Sequence, residues 1–401
     1  MKIIKKELKF YSKYYFKIID IINSAGGNAR IVGGAVRDAL LQTLPSDIDI
    51  ATKLKPAELI VLFEKHGLKS IPTGIKFGTI TVVYYNESFQ ITTLRSDISC
   101  DGRHAQVEYT DDYEEDAKRR DFTINALSYC PVTQEIYDYF GGIDDLENQR
   151  VIFIGDANER ISEDYLRILR FYRFTCNYAN AVDEVGAEAC FNHKEMLTQL
   201  SKERIKSEMD KILIQKNSPP IISAMNNTQI LNIIFPQAKY DTLIHQEIIK
   251  IANFYDYYDY TNIIYALIFK DTNIDIQNLT DLKFSKKDAR DILKLIKVTN
   301  LNENYIGLSL RKIWLEEIDF VQYFIIIAAI NGKREEVYQT YLDLKDFDKP
   351  IFPVNGDDLK YLGHVGEEIG IFLNRLRKIW IERNFKISKE ELIKIAHDDL
   401  L

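Results

Sequence analysis

Little in this 401-residue chain invites a membrane, a zinc ion or a disulfide framework. Although 46% of the residues are hydrophobic, no run approaches the ~18 consecutive apolar residues a membrane helix requires; the expectation is a multi-domain chain with no membrane partner. Cysteine is scarce, and Cys100, Cys130, Cys176 and Cys190 form neither a CxxC pair nor a Cys/His ligand spacing, so zinc and structural disulfides are not expected. The six histidines are scattered, and His397-Asp398 lacks the upstream partner a metal-dependent phosphohydrolase would need. Positive charge is also short, with 52 Lys and Arg against 60 Asp and Glu, a net charge of -8. Indiscriminate nucleic-acid binding is excluded by that balance, because it rests on neutralising many phosphates, but a local basic groove is not. No internal repeat or low-complexity tract stands out. The N-terminal "MKIIKKELKFYSKYYFKIIDII" is broken by Lys, Tyr and Asp where a signal peptide would carry its apolar segment. It reads as an amphipathic first helix, and the expected location is cytoplasmic.

What is present divides the chain. From about Ala29 to Tyr139, short β-type runs such as "ARIVG", "DIDIAT", "TGIKFGTITVVYY", "SFQITTLRSD" and "EIYDYF" alternate with Gly, Asn and Asp turns. After about Arg150 helical periodicity takes over, beginning with "SEDYLRILRFYRF", where Ser162 can cap a helix with an acidic first turn. Breakers fall at "NSPP" (Asn217 to Pro220) and "FDKPIFPVNGDD" (Phe347 to Asp358). An α/β head on a long all-α body follows from that order.

In "IVGGAVRDALLQTLPSDIDIAT" (Ile31 to Thr52), a strand-like run enters Gly33-Gly34 and then a helix near Ala35. Glycines let backbone approach a phosphate, and the free N–H groups at a helix start can donate to it. Arg37 can add a charged fork to the same oxygens, although for the glycines alone a plain tight turn is the commoner explanation. Asp47 and Asp49 flank Ile48, so on a strand both carboxylates project from one face while Ile48 and Ile50 enter the core. Two like charges so close need a cation, and Mg2+ suits hard oxygen ligands shared with substrate phosphates; a solvated acidic edge is the alternative. A phosphate cradle followed closely by a metal-binding strand is the layout of nucleotidyl transfer.

These residues closely resemble the class II tRNA nucleotidyltransferase and bacterial poly(A) polymerase family, within the polymerase β superfamily. The resemblance implies a fold: an α+β polymerase-β-like nucleotidyltransferase head over residues 1–150, then an all-α neck (151–215), body (216–346) and tail (347–401). It makes Asp47 and Asp49 the catalytic metal ligands, and Gly34 and Arg37 triphosphate contacts. "RRDFTINAL" (Arg119 to Leu127) resembles the second family motif, with Arg120 and Asp121 at the sugar and phosphates of the incoming nucleotide. "FGGIDDL" (Phe140 to Leu146) resembles a head-to-neck hinge ending in Asp145. "ERIKSE" (Glu203 to Glu208) resembles a structural element of the neck, where a Glu/Arg pattern reads as a salt-bridge lattice.

"EDYLR" (Glu163 to Arg167) resembles the family's protein template. Asp164 and Arg167, three apart, are expected to share a helix face, where an intrahelical ion pair is the plain alternative. As a template, Asp164 accepts from the exocyclic amino group of cytosine or adenine while Arg167 donates to the adjacent ring nitrogen. Guanine and uracil reverse that edge and would leave buried groups facing like partners, at about 1–3 kcal/mol each. Arg170 and Arg173 continue the spacing and resemble family arginines around the bound nucleotide.

The Gly-Thr step in "TGIKFGTITVVY" (Thr73 to Tyr84) and the stretch "TTLRSDISCDGRHAQVEYTDDYEEDAKRRDFTINAL", with its mobile loop, resemble the CCA-adding branch. CTP and ATP are the implied substrates, tRNA the partner and Mg2+ the cofactor. A poly(A) polymerase, a partial CC- or A-adding enzyme, and a non-catalytic RNA-binding protein remain alternatives. Gln90 in "FQITTLR" departs from the family pattern, where many relatives carry an acidic residue. From Asn374 to Ala396, seven Lys or Arg face three acidic residues, a local +4 that offers RNA a basic strip.

Overall fold

The alternating apolar positions of the first 140 residues pair into one eight-stranded mixed sheet. The strands are β1 (Lys2–Lys5), β2 (Arg30–Val32), β3 (Asp49–Thr52), β4 (Lys69–Gly74), β5 (Thr79–Tyr84), β6 (Glu87–Thr93), then, beyond a separate hairpin of β7 (Arg95–Ser99) and β8 (Gln106–Tyr109), β9 (Ser128–Cys130) and β10 (Glu135–Asp138). Their order in the sheet is β1-β10-β9-β2-β3-β6-β5-β4, with β3 and β6 parallel. This computed structural model describes the chain apart from residues 46, 100–105, 237, 255, 300–319, 333–350, 384 and 399–401. Cys100, part of the loop before the second motif, and the body–tail boundary expected near residue 347 lie outside the described residues.

One face of the sheet carries Ile31, Ile48, Ile50, Ile80, Val82, Phe89 and Ile91, all buried. It is covered by α1 (Tyr15–Ser24) and α3 (Pro56–Lys65), whose Ile18, Ile22, Leu59 and Phe63 face it at helical spacing. Because side chains alternate along a strand, Asp49 shares the other face with Val32 and Ala51, where only a small cluster with Leu94 and Tyr113 forms. The apolar pattern thus fixes which face is left for chemistry. The N-terminal segment corrects one expectation: it begins as β1, antiparallel to β10 at the sheet edge with Lys2 and Lys5 exposed, and turns helical only at Tyr15.

The chain falls into two units, Met1–Pro236 and Gln237–Leu401. In the first, the sheet is followed by α4 to α11: α4 (Tyr113–Lys118) and α5 (Gly142–Glu147) within the head, then α6 (Ala157–Glu163), α7 (Leu166–Tyr178), α8 (Glu184–Asn192), α9 (Lys202–Leu213), α10 (Ser218–Asn227) and α11 (Ile230–Ile234). The "NSPP" break is a helix start, with prolines in the first turn of α10 where their missing N–H costs nothing. The single helix expected through "SEDYLRILRFYRF" is two. Asp156 caps α6 by accepting from the Glu159 N–H (3.0 Å), while Ser162 lies in its last turn and donates to the Glu159 carbonyl (2.8 Å). Asp164 is extended (φ -153°, ψ 105°), and its carboxylate accepts from the Leu166 N–H (3.1 Å). A short acidic side chain that competes for backbone N–H groups breaks the helix here and starts the next.

The second unit is helical over Thr242–Phe254, Thr261–Phe269, Ile276–Asp281, Lys286–Thr299 and Phe320–Asn331, then Gly356–Tyr361, Glu367–Glu382 and Lys389–Asp398. The last three close on Val354, Leu359, Leu376, Trp380, Ile381 and Leu392, with Lys389 ion-paired to Asp358 at 2.8 Å. No described helix is long and apolar enough to cross a membrane.

Candidate active site

The Gly33-Gly34 turn joins β2 to α2 (Gly34–Leu40). Gly33 holds φ +72°, and a Cβ there would come within 2.9 Å of Arg120 Nη1, so both the backbone sign and the close approach demand glycine. Arg120 therefore lies across the turn. It is aimed by Asp116 of α4, whose carboxylate takes Arg120 Nη2 at 3.2 Å and Arg119 Nη2 at 2.8 Å. Burial would raise the Asp116 carboxyl, but the two guanidinium groups outweigh it and hold it below its usual range.

Asp49 opens β3 beside Gln90 of β6. The ladder starts at Asp49, so Asp47 lies just before the strand rather than on it as expected, exposed where Asp49 is half-buried. Burial, then the charge of Asp47, pushes the Asp49 carboxyl up to about 6 against the counteracting Arg120. Among the described residues no cluster of three His, Cys, Asp or Glu gathers as a metal cage. Two carboxylates fit a cation that completes its shell from substrate oxygens and water, and such a cation would offset the burial and the Asp47 charge that make Asp49 a weaker acid. Gln90 brings an amide to the strand position beside them.

Arg37, only 6% exposed, donates from Nε to Asp38 (2.8 Å) and from Nη1 to Asn125 Oδ1 (2.6 Å), and stacks 4.1 Å over the Tyr178 ring. Its Nη2 sits against Gly34, where a Cβ would approach to 3.3 Å. Asp121 is buried and accepts from Asn125 Nδ2 (3.0 Å) and Arg170 Nε (2.7 Å). Burial would raise its carboxyl, but Arg170 and these hydrogen bonds outweigh burial and lower it. Arg170 is held above its ordinary value by the same pairing, against burial.

The Asp164–Arg167 expectation needs correction. They do not share a helix face, since Asp164 lies in the break and Arg167 in the first turn of α7. Nor do they pair. Asp164 takes a two-point contact from Arg204 Nη2 of α9 (2.8 and 3.1 Å), while Arg167 binds Glu163 (2.6 Å) and donates to the carbonyls of Arg160 (2.8 Å) and Arg119 (3.0 Å). The intrahelical ion pair is thereby ruled out. Arg173 makes a 2.9 Å ion-pair contact with Glu208 without hydrogen-bond alignment, and burial lowers its guanidinium. Arg204 and Glu208 thus tie α9 to the α6–α7 region, while Lys206–Asp210 (2.7 Å) and Lys211–Glu208 (3.3 Å) pair along the helix itself. Asp116, Asn125, Tyr178 and Arg204 were missed as candidates, though Asn125 stands inside "RRDFTINAL" and Arg204 inside "ERIKSE".

Residues 29–152 match the family described as the poly A polymerase head domain, and residues 181–241 one described as the probable RNA and SrmB-binding site of polymerase A. The chain is 34% identical to the mitochondrial CCA tRNA nucleotidyltransferase 1 of Danio rerio, over 91% of this chain and 86% of that protein. It is 30% identical to the CCA-adding enzyme of Lactobacillus helveticus (strain DPC 4571), over 95% and 96% of the two chains. The Bacillus stearothermophilus CCA-adding enzyme, solved in complex with CTP, shares the fold with a TM-score of 0.72 at 23% identity, covering 97% of each chain. Fold and site together define a template-independent nucleotidyltransferase, a class that works with a divalent metal. Within that class, the chain belongs to the CCA-adding tRNA nucleotidyltransferase family.

Proposed function

We propose that this chain adds C, C and A to the 3′ end of tRNA, drawing on CTP and ATP and releasing pyrophosphate, in the cytoplasm. The observation that carries the reading is Asp49: a half-buried carboxylate next to Asp47, paired across the sheet with Val32, the residue before the glycine turn that Arg120 crosses. Asp47 and Asp49 would hold Mg2+, which when bound lowers the pKa of the RNA 3′-hydroxyl and neutralises charge on the phosphates. The Gly34 backbone, Arg37 and Arg120 bind and orient the triphosphate, so that the α-phosphorus presents itself to the hydroxyl with the pyrophosphate leaving opposite. Asp121 holds Arg170 toward the nucleotide, and Arg173 braces α7 from Glu208. Asp164 and Arg167 would read the base edge, accepting from the amino group and donating to the ring nitrogen shared by C and A, once the base replaces their contacts to Arg204 and Glu163. In this enzyme the head spans residues 1–150, the neck 151–215, the body 216–346 and the tRNA-binding tail 347–401.

Alanine at Asp47 is expected to abolish nucleotide incorporation while leaving tRNA affinity within about twofold, since uniform RNA binding does not need the metal pair. Undiminished incorporation would refute the metal assignment.

A further inference from the structure

Two side chains assigned above to different parts of the nucleotide, Arg37 for the triphosphate and Arg170 for the base-side helix, are joined by a buried chain of contacts. Arg37 Nη1 donates to Asn125 Oδ1 at 2.6 Å, Asn125 Nδ2 donates to Asp121 Oδ1 at 3.0 Å, and Arg170 Nε donates to Asp121 Oδ2 at 2.7 Å. Each member has a fixed role. Asn125 is 7% exposed and spends its carbonyl on the arginine and its amide N–H on the carboxylate, so reversing the amide would set like groups face to face on both sides. Asp121, itself 7% exposed, gives Oδ1 to Asn125 and to its neighbour's backbone, the Phe122 N–H (2.9 Å), and Oδ2 to Arg170. Arg37 has a second tie to the same helix, because it stacks on Tyr178, whose hydroxyl donates to Asp38 at 3.2 Å.

We infer that Asn125 is a positioning residue that couples triphosphate binding on α2 to the placement of α7, the helix that carries Arg167 and Arg170. This inference rests on the proposed roles of Arg37 and Arg170. Asn125 touches neither substrate nor metal in this scheme; it sets the guanidinium of Arg37 and, through Asp121, that of Arg170. A buried network transmits a displacement at one end to the other, because Asn125 cannot leave Arg37 or Asp121 without unpairing a desolvated amide group. Occupation of the triphosphate site then favours the α7 position at which the base edge is read, and bases that misplace α7 loosen the triphosphate.

The test is a double-mutant cycle on kcat/KM for CTP with Arg37→Lys and Arg170→Lys, in the intact protein and again with Asn125→Ala. In the intact protein the double variant should depart from the product of the single effects by about 5-fold or more, whereas with Asn125→Ala the cycle should close to within about 2-fold. Asn125→Ala alone should raise KM for CTP and ATP by similar factors and leave tRNA affinity unchanged, a split that general loosening of the fold would not give. Coupling that persists without Asn125 would assign it to the Phe174 ring, over which both Arg37 (5.4 Å) and Arg170 (5.2 Å) lie, and overturn the proposal. So would an additive cycle in the intact protein, which decides the matter even if Asn125→Ala fails to fold. If Arg37→Lys alone leaves KM for both nucleotides unchanged, the triphosphate reading itself fails, an outcome distinct from additivity between two impaired variants.

Discussion

Asp49 is held against its own preference. Its carboxyl stands at about 6 in the folded chain and at the ordinary 3.8 when unfolded, so between about pH 4 and 6 the folded state binds the extra proton. Metal-free stability therefore falls as pH rises through that window and stays lowered above it. Asp49→Asn removes the penalty. In chelator at pH 7.5, calorimetry should show Tm raised by about 2–4 °C, while incorporation drops about 10³-fold. A lowered Tm would contradict the account of Asp49 as a carboxylate whose charge burial and Asp47 disfavour. Much of this residue chemistry was legible in the sequence: the Asp-x-Asp pair, the glycines and Arg37 stand close together in one stretch. Asn125 and Tyr178 were not, because an uncharged side chain shows its partners only when the chain brings residues 88 and more positions apart into contact.

Among the elements, α7 and α9 carry the neck. Arg173 and Glu208 meet between them with side chains 16% and 6% exposed. Glu208→Gln strips the partner from a guanidinium that burial already disfavours, and a buried pair broken on one side costs about 3 kcal/mol. Urea unfolding should show that loss as a lowered midpoint at constant m; an unchanged midpoint would mean that the contact contributes nothing. Helical periodicity announced these helices but misplaced a boundary. "SEDYLRILRFYRF" reads as one continuous repeat because apolar spacing continues across Asp164, and only the competition of its carboxylate for the Leu166 N–H splits it. The N-terminal strand was hidden for a related reason. Four residues of β1 are specified by pairing with β10, 130 to 136 positions away, and not by a local pattern.

Across the whole molecule, charge is divided unevenly. A net charge of -8 coexists with the +4 stretch from Asn374 to Ala396, placed on the last two helices, whose apolar side chains form a small core of their own. Replacing Arg375 and Lys378 by Ala should weaken tRNA binding about 5-fold and flatten its salt dependence by about one to two units of slope, with KM for CTP unchanged. Equal losses for tRNA and CTP would place the effect on folding. The central claim concerns what the assembled chain makes, and product length resolves it. With a tRNA transcript lacking its last three nucleotides, CTP alone should extend the RNA by two residues, CTP with ATP by three and no further, and GTP or UTP by none. A ladder of added A, or arrest after a single class of nucleotide, would contradict it.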